Sequence, residues 1–523
     1  MNNHTNKKSS IQGKNMFNIG KELAKQGKEL EQQEQLESVS TIYELPLKQA
    51  TNLLKNMGEN WRKDNTEKKK GKEIIKRVPP RIIADDLKQV VKFAVIGDTA
   101  SDLEKAPLVF YNPDTGLYSN SNRIIDKLIL AIDNTTQERN RKEIKKWLAL
   151  EAQPLTLNKD KNLIPVGNGV FNKETNKLIK FSPDLVFTTK VATNYNEKNI
   201  AEPTFNNWSL SNWFKELADN DKHKEQLLWQ LIATIVQNKA NSNVLFCLID
   251  NGQGRTGKST FEQLLMNLVG KDNYTALKLA EFDNDFLLAQ AYGASLIIGD
   301  DNPPLKYIDD GSTLKSVVTN ELVLINPKGM PPFSAKFNTT VVQSMNAFPR
   351  FRDTTGGLYR RFRLIKFNHQ YPDTPAGRKI KDEYIYNEEL LQWLLKKALT
   401  IDTSTIIDTK ESKEMVTDIQ LESDIVRSFA ADVVNGFTST RIPVKFLYQL
   451  FNNYAEANHN STNITQNSFT RRIKPILEEQ SFNYDRKNKA PLNYFKKDDA
   501  KLLPEYWLKY YKENKKKQPI FYK

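Results

Sequence analysis

Apolar and polar positions change rhythm several times along the chain. Residues 1–45 are rich in Lys, Glu, Gln and Asn and carry no sustained apolar repeat. The basic run Lys68–Lys69–Lys70–Gly71–Lys72 and the break at Val78–Pro79–Pro80 follow, so residues 1–80 read as a polar tail and basic linker. Apolar residues then recur at helical spacing in Ile82–Val95 and in Arg123–Ile132. Between them Leu108–Tyr111 and Leu117–Tyr118 flank Asn112–Pro113–Asp114–Thr115–Gly116, which predicts strand, turn, strand. A second hairpin is predicted over Leu163–Ile179, with turns at Gly167–Asn168–Gly169 and Asn172–Asn176. Residues 81–205 therefore form an expected N-terminal α+β domain, mostly helical up to residue 160. Residues 206–400 alternate apolar strands with helices, the rhythm of an α/β domain, and end in a leucine-rich helix.

A Ser/Thr/Asp-rich stretch, residues 401–420, reads as a linker to a last domain at 421–523. There Ile442–Phe451 predicts a helix entered after Pro443. Asn467–Leu477 predicts a second, with Phe469, Ile473, Ile476 and Leu477 facing inward. Arg471, Arg472 and Lys474 would then face solvent. Helix, turn, basic helix and a Tyr/Phe-containing hairpin suggest a winged helix reading duplex DNA.

Composition narrows the possibilities. A length of 523 residues with 39% hydrophobic content suits about three domains. Net charge is +14 and the pI is about 9.3, which favours a polyanionic partner. The last domain holds 18 Lys and Arg against 11 Asp and Glu, half of that surplus. The one cysteine, Cys247, excludes a disulfide framework and a Cys-based zinc site, and fits a reducing cytoplasm. The four histidines show no ligand spacing. No segment approaches the roughly 18 apolar residues of a membrane span. A soluble protein in the cytoplasm of a bacterial host is expected.

The chemistry is concentrated at Gly252–Gln253–Gly254–Arg255–Thr256–Gly257–Lys258–Ser259. The apolar strand Asn243–Ile249 precedes it and the helical repeat Ser259–Val269 follows, the context of a phosphate loop. Backbone N–H groups from Gly252 to Thr260 would cradle the phosphates of ATP. Lys258 would neutralise the β- and γ-oxygens, and the Ser259 hydroxyl would hold Mg²⁺. The strand Ala294–Gly299 ends in Asp300–Asp301. One acid suits the metal and the other the attacking water: Asp300 is assigned the first role and Asp301 the second, with exchange open. The strand Thr339–Met345 ends in Asn346, whose amide could sense the γ-phosphate. Arg360 and Arg361 follow in Tyr359–Arg360–Arg361–Phe362–Arg363.

The run from Lys258 through Asp300 and Asn346 to Arg361 resembles the superfamily 3 helicases, a branch of the AAA+ ATPases. More closely, it is similar to the phage, plasmid and poxvirus primase–helicases, and within them to the Rep replication initiator helicases of staphylococcal pathogenicity islands. Gly357–Leu358–Tyr359–Arg360–Arg361, Ala280–Phe286, Asn168–Phe171, Phe181–Pro183 and Thr193–Tyr195 also carry the likeness, over roughly residues 105–480. The resemblance implies an AAA+ core with α+β and winged-helix flanks, in a homo-oligomeric ring, usually a hexamer, with ATP between subunits. Arg361 or Arg360 would be a finger acting in trans. It also implies a DNA-gripping hairpin, here Val323–Phe333, with Lys328 at its tip, Lys315 nearby and single-stranded DNA in the ring. Relatives often fuse a primase, yet residues 1–160 show no acidic pair with a nearby His in a sheet context, so primer synthesis is expected of a separate primase. Two functions stay open. One is an ATP-driven helicase that binds an origin and unwinds DNA for a phage-like mobile element. The other is an origin-binding initiator or helicase loader whose ATPase only switches assembly.

Overall fold

A computed structural model describes residues 42–523, except 70–71, 75, 98–102, 105, 199, 238–242, 251, 253, 304–306, 309–310, 329–331, 352–355, 458–463, 492–493, 501–508, 510–512 and 514. The N-terminal unit opens with α1 (Leu47–Asp64), α2 (Pro80–Val90), β1 (Phe93–Ile96), β2 (Leu108–Asn112) and β3 (Leu117–Ser119). It closes with α3 (Asn122–Ile132), α4 (Glu138–Glu151) and β4 (Gln153–Leu155). The four strands form one sheet in the order β3-β2-β1-β4. Two expectations change here. Part of the expected tail is a packed helix: Ala50 and Leu54 of α1 are buried with Leu87, Leu128 and Ile129. The apolar stretch 82–95 is also two elements, because Val91 turns extended and Phe93 pairs with Phe110 across the sheet. The second predicted hairpin is a three-stranded antiparallel sheet, β5 (Leu163–Val166), β6 (Gly169–Asn172) and β7 (Lys177–Ile179).

The central unit runs from α5 (Leu210–Leu217) and α6 (Lys222–Val236) into β8 (Leu245–Ile249) and α7 (Lys258–Val269). Next come β9 (Tyr274–Ala276), α8 (Asp285–Gln290), β10 (Leu296–Asn302), α9 (Ser312–Val318), β11 (Val323–Ile325) and β12 (Phe333–Ala335). β13 (Thr340–Met345), β14 (Phe362–Lys366), α10 (Pro375–Asp382), α11 (Glu388–Thr400) and α12 (Lys410–Ser423) complete it. Strands β9-β10-β13-β8-β14 form a parallel sheet in that order. All five residues of β8 are buried, as an apolar run covered on both faces requires. One face packs on α5, α6, α7 and α11 through Phe214, Leu231, Phe261 and Leu394. The other carries α8, α9 and the β11–β12 hairpin through Leu288, Val317, Ile325 and Phe333. The expected linker 401–420 mostly belongs to this unit. Thr409 caps α12, and buried Ser412 accepts the Leu364 N–H at 3.0 Å, so the helix lies along β14.

The C-terminal unit has the order α13 (Ile425–Asp432), β15 (Arg441–Pro443), α14 (Val444–Ala457), α15 (Gln466–Glu479), β16 (Asn483–Pro491) and β17 (Lys517–Tyr522). Its three strands are antiparallel in the order β15-β17-β16. Phe469, Ile473, Ile476 and Leu477 are buried as their spacing predicts.

Candidate functional site

The carboxyl ends of β8, β10 and β13 meet at one cavity of about 550 Å³. Gly252, Gly254, Arg255, Thr256, Gly257, Lys258, Ser259 and Thr260 line it, with Asp301 and Asn346 opposite. Gln253 lies outside the described residues. Gly257 has φ +86, and a Cβ there would stand 3.0 Å from Leu217 and 3.2 Å from Tyr371, so the loop needs glycine on two grounds. Gly257 also begins α7, which turns that helix's free N–H groups toward the cavity.

Lys258 is buried, and its ammonium sits among three acceptors. It donates to Asn346 Oδ1 at 3.1 Å and to the Met345 carbonyl at 3.4 Å, and stands 3.5 Å from Asp250 Oδ2. Asp250 ends β8 and was not singled out from sequence. Its buried carboxylate accepts the Gly252 N–H at 3.0 Å and the Thr256 hydroxyl at 3.1 Å, tying both limbs of the loop together.

Asp300 and Asp301 are both exposed, and they differ in setting. The β10–β13 register shifts between Gly299 and Asn302, and Asp301 takes a left-handed φ of 48°. Buried Asn302 holds this bend by donating to the Gly299 carbonyl, to Gln343 Oε1 at 3.0 Å and to the Ser344 carbonyl at 3.0 Å. Asp300 accepts from Ser344 Oγ at 3.3 Å and from the Asp301 N–H at 2.8 Å, while Asp301 lines the cavity.

Glu262 was also missed, although it stands four residues after Lys258 and therefore on the same helix face. It is buried, and its Oε1 has no hydrogen-bond partner. Burial, reinforced by the charge of Asp300, pushes its carboxyl up to about 8. The folded chain thus binds this proton more tightly than the unfolded one. Stability falls as pH rises from the usual glutamate value of 4.5 through about 8, where the folded carboxyl ionises. Glu262→Gln is expected to flatten that decline in melting curves between pH 5 and pH 9. The gain at the alkaline end should be on the order of 2–4 kcal/mol relative to the unaltered chain; parallel pH profiles would remove the assignment.

The far wall of the cavity comes from residues 371–381, another part not foreseen. Tyr371, Thr374, Arg378 and Ile380 line it beside Trp213. The Tyr371 N–H donates to the Arg255 carbonyl at 2.9 Å, and Asp373 pairs with Arg378 at 2.9 Å and with Arg255 at 3.7 Å.

Arg360 and Arg361 lie elsewhere. The Arg361 carbonyl accepts the Leu245 N–H at 2.9 Å, so the pair marks the start of β14 beside the start of β8. The glycine loop begins at the other end of β8, about 16 Å away for five residues of strand. Arg360 is exposed. Arg361 is only 9% exposed and its Nη1 donates to the Gly357 carbonyl at 2.9 Å; burial holds its guanidinium below the usual arginine range. Both line a second cavity of about 480 Å³, with Arg363, Thr319 and Glu321.

The β11–β12 hairpin pairs Val323 with Ala335 and Ile325 with Phe333, one strand of it extending past the expected span. Lys328 is exposed between the strands, and Lys315 is half-buried on α9. In the C-terminal unit Arg471 is exposed. Arg472 and Lys474, expected free, are engaged within the unit: Arg472 pairs with Asp424 at 2.9 Å, and Lys474 faces Glu478 at 3.7 Å. Among the described residues no cluster of three or more His, Cys, Asp or Glu could hold a metal alone, and no helix is long and apolar enough to cross a membrane.

Fold and site together define an α/β protein with a glycine-loop cavity at the carboxyl end of a parallel sheet. Residues 48–214 match the family described as D5 N terminal like, and residues 421–520 match the poxvirus D5 protein-like family. Residues 251–361, which span the glycine loop and both arginines, match a family of unknown function, DUF5906. With D5-like matches toward both ends, the chain resembles the D5-like proteins of the phage and poxvirus primase–helicase type. Among solved structures it is similar to the apo A form of the NrS-1 C-terminal region, with 16% identity and a TM-score of 0.43, over 79% of this chain and 97% of that one. A second apo structure of the same region gives 15% identity and a TM-score of 0.41, over 79% and 97%.

Proposed function

We propose that this chain is an ATP-dependent DNA helicase and replication initiator of the superfamily 3, AAA+ type, active as a ring with ATP hydrolysed between subunits. The observation that carries the reading is the separation of Lys258 from Arg360. The loop and the arginines sit at opposite ends of β8, too far apart to meet on one nucleotide within a chain. A copy stacked head to tail would bring the arginine end of one chain to the loop of the next, and repetition with a rotation that closes gives a ring, which the resemblance makes a hexamer.

Mg²⁺ suits this site. Ser259 lines the cavity and the exposed Asp300 stands beside cavity-lining Asp301, and an ion that takes its other ligands from phosphates and water needs no larger protein cluster. Bound there, it would offset charge on the β- and γ-phosphates of ATP. Lys258 would leave Asn346 and Asp250 to meet the same oxygens. Asp301 would orient the attacking water and draw on its proton, and Asn346 would report whether the γ-phosphate is present. Arg360 of the adjoining copy would stabilise charge as the phosphoryl group transfers. Lys328 suits a phosphate of single-stranded DNA in the ring, with Lys315 behind it. In the C-terminal unit, the helix–strand–helix–helix–strand–strand order supports a winged helix that docks on the duplex origin through Arg471.

The test uses a forked DNA duplex. Lys328→Ala is expected to lose strand separation while keeping basal ATP hydrolysis. Full strand separation by that variant would remove Lys328 from the translocating role, whereas ATP hydrolysis without strand separation by the unaltered chain would favour the second reading, an initiator or loader whose ATPase switches assembly.

A further inference from the structure

Strand β16 is broken in a way the fold does not require. Along β17, Ile520 and Pro519 are consecutive, yet their partners on β16 are Asp485 and Lys489. Arg486, Lys487 and Asn488 are therefore extruded from the ladder as a wide bulge. Asp485 holds the bend, its Oδ1 accepting the Lys487 N–H at 2.8 Å. Arg486, Lys487, Asn488 and Lys489 are all exposed.

The charge pattern around the bulge matters more than its shape. Two of the three basic residues expected to face solvent on α15 are matched internally, Arg472 by Asp424 and Lys474 by Glu478. Among the described residues no carboxylate pairs with Arg486, Lys487 or Lys489. Three neighbouring cations that form no ion pair repel one another, the single Asp485 carboxylate at the bend offsetting only part of their charge, and an extruded strand segment forgoes ladder hydrogen bonds. A polyanion placed against the bulge relieves the repulsion. The side chains are one guanidinium, two ammoniums and one amide, a set that grips phosphate more than it reads base edges.

We propose that the Arg486–Lys489 bulge is a phosphate-backbone clamp for duplex DNA, anchoring the C-terminal unit without regard to sequence. This rests on reading residues 421–523 as a DNA-binding unit. Each phosphate contact releases condensed counterions, so the clamp has a thermodynamic signature separate from base recognition.

The experiment uses the full chain carrying R486A/K487A/K489A, with duplex affinity followed by fluorescence anisotropy across a salt series. The slope of log affinity against log salt should become shallower by about 2.7, at about 0.9 per lost contact, and equally on origin and unrelated duplexes. An unchanged melting temperature would show that the variant folds. Arg471→Glu, on α15, is the companion. If it weakens binding while the triple variant keeps the full salt slope, the clamp is wrong and the DNA-binding unit stands. If neither variant changes duplex affinity, the underlying reading of the unit falls with it.

Discussion

Lys258→Ala is expected to lower ATP turnover by about 10²–10³-fold or more, the usual cost of removing one preorganised group from a charged transition state. A second effect follows from the same geometry. Lys258 and Asp250 are both buried and 3.5 Å apart, so removing the ammonium strands a carboxylate inside the protein. Breaking one side of a buried pair costs roughly 3–5 kcal/mol, so the nucleotide-free variant should also melt at a lower temperature. Lys258→Ala combined with Asp250→Asn is expected to recover much of the melting temperature and none of the turnover. Turnover that survives in Lys258→Ala would mean the cavity hydrolyses nothing by this route.

Arg360→Ala carries the second large effect. A finger supplied in trans contributes about 10³–10⁵-fold to phosphoryl transfer. Turnover should fall by at least the lower figure while affinity for the nucleotide is preserved. Mixing this variant with Asp301→Asn chains should restore some activity, because certain interfaces in a mixed assembly hold an intact loop site and an intact arginine. Activity flat at every mixing ratio would argue against a shared site. Arg361→Ala should behave differently: its guanidinium is buried and bonded to the Gly357 carbonyl, so its loss should lower the melting temperature as well as turnover.

The strands and helices that carry this chemistry were legible because each is a continuous apolar run closed by polar punctuation. The Asn243–Ile249 run, the glycine loop and the helix beginning at Lys258 reappear with boundaries close to those expected. The inward residues of Asn467–Leu477 follow from helical spacing alone. What escaped depends on contacts distant in sequence. Leu47–Asp64 is polar on most of its surface, and only its packing against Ile129 and Leu87 makes it part of a core. The helix over 410–423 hides its purpose in one serine hydroxyl that meets β14. Asp250 and Glu262 belong to no short motif, and their roles emerge only when Lys258, Ser344 and Asp300 are brought around them. The fates of Arg472 and Lys474 were equally hidden, since a basic helix face does not reveal which of its charges are already matched.

The helix along β14 also limits how copies of the protein can join. With Ser412 taking an N–H of that strand, the rim of the sheet offers little template on which a foreign strand could zip, and the opposite rim, β9, is only three residues long. Growth by ladder extension is thereby discouraged at both margins. Association is left to side-chain surfaces, whose fit can be made and released.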